Sequence, residues 1–123
     1  MKRLGLLLAA VLCLFCLAGC AKKPEGKWET VRYEFDGTVM TEADNAAVRE
    51  LMQFEFEKDG KGKARVGSEE FDLSWTRYKD GDMTLEFGGR RADGTINDEA
   101  TSMDLTIVSG EGLGVKIVIE KVS

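Results

Sequence analysis

From residue 27 to the C-terminus, apolar and polar side chains alternate in short runs punctuated by turn signals. Val31, Tyr33 and Phe35 alternate with Thr30, Arg32 and Glu34, and Met52, Phe54 and Phe56 alternate with Gln53, Glu55 and Glu57. Over 61–66, Lys61, Lys63 and Arg65 oppose Gly62, Ala64 and Val66. Phe71-Leu73-Trp75, Met83-Leu85-Phe87, Met103-Leu105-Ile107 and Val115-Ile117-Ile119 repeat the same period of two. That period places one face of each run in a core and the other in water, which predicts half-buried strands. Asp36-Gly37, Lys58-Asp59-Gly60, Lys79-Asp80-Gly81-Asp82 and the glycine-rich stretch 109–114 separate them as turns, since glycine accepts the positive φ that tight turns need. One segment breaks the pattern. Over 41–51, Thr41 precedes Asp44 as a weak capping box, and Ala43, Ala46, Ala47 and Leu51 form a modest apolar stripe, which predicts a short helix. The expected fold is mainly β, an antiparallel up-and-down barrel of about 7–8 strands with one short helix after the first strand. Closure is favoured over an open sheet because open edges expose unpaired backbone groups.

The N-terminus follows different rules. Lys2 and Arg3 precede an apolar run over 4–17, the length of a signal peptide and short for a bilayer span. Leu17-Ala18-Gly19-Cys20 then resembles the lipobox of bacterial lipoproteins. The resemblance implies cleavage before Cys20 and a covalent lipid on that cysteine; no other cofactor is expected. The competing readings are an uncleaved anchor or an ordinary secretory signal beside an incidental cysteine. The expected organisation is a signal peptide over 1–19, a lipidated cysteine and short tether over 20–26, and a barrel over 27–123. Cys13 and Cys16 form a C-x-x-C, but inside the segment to be discarded. The expected location is the outer face of the cell membrane, a Gram-positive cell surface or, in a Gram-negative cell, also the outer membrane.

Processing sharpens the charge. The whole chain carries a formal −5, and removing Lys2 and Arg3 with no acid makes the remainder more acidic. An acidic domain argues against nucleic acid and against broad contact with an anionic bilayer. With Cys20 acylated, no thiol is left for a disulfide, so core burial alone must stabilise a domain of about 100 residues, expected to be monomeric. The tether reaches at most about 20 Å, and Lys22 and Lys23 either meet anionic head groups or simply solvate the linker.

A second resemblance begins at Gly26-Lys27-Trp28. With Phe54, Phe56, Asp59, Gly60, Gly62 and Trp75 in order behind that G-x-W start, the chain resembles small lipocalin-like lipoprotein domains of bacteria. The resemblance implies a lipocalin-like barrel and almost no mechanism, and the chain lacks the disulfide and closing helix of a full lipocalin.

Trp28 is out of phase with Val31, Tyr33 and Phe35, which predicts a bulge or an indole closing one barrel end. Trp75 shares a face with Phe71 and Leu73, and Arg77 continues that face toward a strand end. Trp28, Trp75 and Arg77 are therefore the candidates for closing the barrel or for meeting a ligand at its mouth, Arg77 by stacking on an indole or by pairing an anion. Gly62 and Ala64 leave room that large neighbours can fill. Residues 88–98 read as the longest loop, with Arg90 and Arg91 as a candidate interaction pair. Asp93, Asn97, Asp98 and Glu99 offer oxygen donors, but without calcium-loop spacing, so no metal is expected.

Catalysis finds no support. The chain has no histidine, Ser109 lies in a turn without a nucleophile elbow, and Glu69-Glu70 and Asp80-Asp82 flank turns. Two functions of different class remain: a membrane-anchored module binding a small ligand or peptide at the cell envelope, or an interaction or inhibitor protein with a filled barrel that docks an envelope protein.

Overall fold

The computed structural model describes residues 22–123; the expected signal peptide over 1–19, with Cys13 and Cys16, and the expected lipidation site Cys20 lie outside the described residues. The strands are β1 (Gly26–Phe35), β2 (Thr38–Thr41), β3 (Met52–Phe56), β4 (Lys61–Val66), β5 (Glu69–Arg77), β6 (Asp82–Phe87), β7 (Arg90–Ile96), β8 (Ser102–Ser109) and β9 (Lys116–Lys121). Every pairing is antiparallel, and β9 returns to pair with β1 and close the wall. Strands β2 and β3 share one edge of β1, β3 against Gly26 to Glu29 and β2 against Arg32 to Phe35. They fill one position between them, so the barrel has eight strands in its wall. Closure supplies partners to backbone groups that an open sheet would expose.

The phase conflict at Trp28 is a bulge. The register of β1 against β9 slips between Thr30 and Arg32, leaving Val31 as the extra residue. Before the slip Trp28 and Thr30 point inward and are fully buried; after it the half-buried Tyr33 faces the core. The inward Thr30 hydroxyl donates to the Met52 carbonyl at 2.7 Å, which offsets its burial.

Two expectations are corrected. The helix over 41–51 is a turn followed by a 3-10 segment, Ala46–Glu50, and there is no α-helix among the described residues. Thr41 and Asp44 do hydrogen bond, but Asn45 caps the segment by accepting from the Ala47 N–H. Ala43, Ala46 and Ala47 are exposed and only Val48 is buried there, so packing rewards one anchor rather than an apolar stripe. Residues 88–98, expected as a loop, contain β7. Its inward side runs Arg90, Ala92 and Gly94 before Ile96, so a cation and two small residues disguise a strand's alternation.

The interior is occupied by side chains. Trp28 meets Phe56 at 5.8 Å between ring centroids, and Phe56 meets Trp75 at 5.6 Å. Phe54 lies 6.2 Å from Phe56 and 5.3 Å from Phe87. Above them the Arg90 guanidinium stands 6.0 Å from Phe87 and 5.5 Å from Phe71. An aromatic column therefore runs from one barrel end to the other. Small wall residues make room for it: Phe56 pairs across with Gly62 and Phe54 with Ala64. At Gly62 a Cβ would collide with the Glu55 carbonyl. Met83, Leu85, Met103, Leu105, Ile107, Ile117 and Ile119 fill the opposite half. Each large side chain so buried stabilises the fold by about 1.5–3 kcal/mol.

Candidate functional site

The two barrel ends differ. One, the base, gathers the start of β1, the end of β9 and the β3–β4, β5–β6 and β7–β8 turns. The other, the rim, carries the β1–β2, β4–β5, β6–β7 and β8–β9 turns.

At the base stand Trp28, Trp75 and Arg77, the candidates for closing the barrel or meeting a ligand, and each is committed to protein backbone. The Trp28 indole N–H donates to the Pro24 carbonyl at 2.8 Å. The Trp75 indole donates to the carbonyls of Lys61 at 2.7 Å and Glu57 at 3.2 Å, which holds the β3–β4 hairpin. In that hairpin Asp59 and Gly60 both have positive φ, the conformation of a type I′ turn. Arg77 donates through Nη1 to the Lys22 carbonyl. Lys121 donates to the Lys23 carbonyl at 2.9 Å and lies 5.7 Å from the Trp28 ring. Residues 22–25, expected as free tether, thus form a strap whose three successive carbonyls, of Lys22, Lys23 and Pro24, are each held by a barrel side chain. Within the strap, Pro24 is buried. Nothing local in the sequence announces the strap, because its acceptors are backbone oxygens and its donors lie up to 98 residues away.

At the rim, Arg90 and Arg91 do not form a pair in a loop; they occupy opposite faces of β7. The Arg90 side chain is 7% exposed, stacked between Phe71 and Phe87, with its head on Glu111 at 3.2 Å and on the Gly88 carbonyl at 3.3 Å. Arg91 points outward, and its hydrogen bond to Asp93 at 3.0 Å raises its pKa further above the ordinary range. Asn97 is likewise occupied: its side-chain oxygen accepts from the Thr101 and Ser102 N–H groups. Among the described residues no three Cys, His, Asp or Glu side chains converge as a metal site.

The outer wall of β1, β3, β4 and β5 carries charges that alternate in sign across the strands. Lys27 faces Glu55, Glu55 faces Lys63, and Lys63 faces Asp72. A shallow groove of about 260 Å³ runs along this wall. The Lys63–Asp72 contact is 2.8 Å; its hydrogen bond lowers the Asp72 pKa and raises that of Lys63. Beside the groove, Arg49 bridges Glu29 and Glu42, each at 3.1 Å. Exposed apolar side chains stand at both ends: Phe35, beside Gly114, with Val39, Val108 and Leu113 toward the rim, and Tyr78 and Val122 at the base.

Comparison with family models, with curated proteins and with solved structures finds no match.

Proposed function

We propose that this chain is an extracytoplasmic lipoprotein, anchored by a lipid on Cys20, whose barrel is solid and acts through its outer surface on an envelope protein. It is a docking or inhibitor module and not an enzyme. The observation that carries this reading is the aromatic column from Trp75 through Phe56, Phe54 and Phe87 to Arg90 and Phe71. A ligand held inside an eight-stranded barrel needs volume that this column occupies. The lipobox-like Leu17 to Cys20 and the ordered G-x-W, Phe54, Phe56 and Trp75 set, which resemble small lipocalin-like lipoproteins of bacteria, support the location and the barrel family. The rim residues Phe35, Val39 and Leu113 supply the exposed apolar surface through which docking would occur.

The test is native mass spectrometry of the protein released gently from membranes, with and without envelope extract. The expected result is a complex of protein mass that is lost when Leu113→Glu is introduced. A small-molecule adduct that survives Leu113→Glu and is lost in Trp75→Phe would instead establish an interior ligand.

A further inference from the structure

We infer that the barrel stands base-down on the bilayer: the strap fixes the face closed by Trp28 and Trp75 as the lipid-facing surface and turns the Phe35–Leu113 rim outward. This rests on the lipid-anchor reading of Cys20 and extends it from location to orientation.

One residue, Ala21, lies between Cys20 and Lys22, so their Cα atoms are at most about 7 Å apart. At Lys22 the chain is already clamped, because Arg77 holds its carbonyl, Lys121 holds that of Lys23 and Trp28 holds that of Pro24. Three donors from three strands, β5, β9 and β1, fix both the position and the direction of the strap. An acyl group on Cys20 therefore emerges at the base, with too little free chain to let the barrel roll onto its rim. The eight residues of β8, rising about 3.3 Å each at a tilt of about 40°, put the rim roughly 20 Å farther from the bilayer.

Charge at the base is mixed. Lys22, Lys23, Lys58, Lys79 and Lys121 are interleaved with Asp59, Asp80, Asp98 and Glu99, so attraction to anionic lipid does not set the orientation. Charge at the rim is mixed as well, with Asp36 after β1 and Glu69 at the start of β5 set against the exposed Lys116 at the start of β9, and Glu111 paired with Arg90. Covalent placement sets the orientation, and it does not depend on salt.

The experiment uses the full chain, expressed, processed and reconstituted into phosphatidylglycerol–phosphatidylethanolamine vesicles containing a headgroup-nitroxide lipid. Lys58→Cys at the base and Leu113→Cys at the rim each carry a fluorophore. Quenching is expected to be several-fold stronger at position 58 than at 113, and unchanged in high salt. The Arg77→Ala, Lys121→Ala pair, which releases two strap carbonyls, should bring the two positions closer while the protein stays on the vesicles. A vesicle-bound protein quenched equally at both positions, or more at 113, overturns the orientation and leaves the lipid anchor standing. A protein that does not partition with the vesicles overturns the anchor and the orientation together.

Discussion

The indole N–H of Trp28 reaches the carbonyl of Pro24 at 2.8 Å, tying the first barrel strand to the chain that leads into it. The same ring lies under the Lys121 ammonium, whose hydrogen bond to Lys23 grips the neighbouring peptide. A single tryptophan thus closes the core and docks the strap. Trp28→Phe separates the two roles, since it keeps an aromatic ring and removes the donor. It should cost roughly 2 kcal/mol and leave the barrel folded, while tryptic cleavage after Lys22 becomes faster. Unchanged cleavage would show that the strap is held without the indole.

The rim ion pair is lopsided, since Arg90 is buried and the Glu111 side chain is 85% exposed. Solvent screens the carboxylate, so Glu111→Ala should cost less than about 1 kcal/mol. Arg90→Ala removes the stacking between Phe71 and Phe87 as well, and should cost on the order of 2 kcal/mol. Urea midpoints measure both, and equal losses would contradict a role in which Arg90 serves mainly as filler for the column.

Asp72 has its pKa lowered in the fold by the Lys63 hydrogen bond. Such a carboxylate contributes stability above its unfolded value, a contribution lost as acid titrates the native group below about pH 4. Lys63, with its pKa raised, contributes below its own unfolded value and loses that contribution only in strong base. Lys63→Met should therefore return Asp72 to the ordinary carboxylate range in a carbon-detected NMR titration. An unshifted Asp72 would remove the ion pair from the account.

The strands with clean alternation, β3, β5, β6, β8 and β9, are legible from their side chains because one face of each carries two or three successive apolar residues. β7 is not, because its inward side is Arg90, Ala92 and Gly94 before Ile96. At Gly94 a Cβ would strike the Asp104 backbone of β8, so close strand approach explains a residue that reads as a loop former. The short β2 escapes notice because Thr38 to Thr41 carries only two apolar residues, Val39 and Met40. Trp28 and Trp75 are legible as barrel-closing residues. Their partners are not, because backbone carbonyls of Pro24, Glu57 and Lys61 carry no sequence signal.

In the proposed lipoprotein, membrane attachment depends on one atom, the Cys20 sulfur. Cys20→Ser should move the protein from the membrane fraction into soluble or unprocessed forms, since a second acyl chain turns marginal membrane binding into stable anchoring. Unchanged fractionation of a cleaved chain, followed by immunoblot and N-terminal mass analysis, would rule out the lipid.

The solid interior is the claim on which the surface reading stands, and Phe54 is its centre, 3% exposed between Phe56 and Phe87. Truncating it inside a filled barrel opens a cavity that its neighbours cannot fully close. The measurement is the urea unfolding curve of Phe54→Ala beside the wild type. A loss of about 3–5 kcal/mol, enough to leave a domain of this size largely unfolded, is expected. A folded variant losing less than about 1 kcal/mol would mean that Phe54 lines open space, and the barrel would then have to be treated as a ligand pocket.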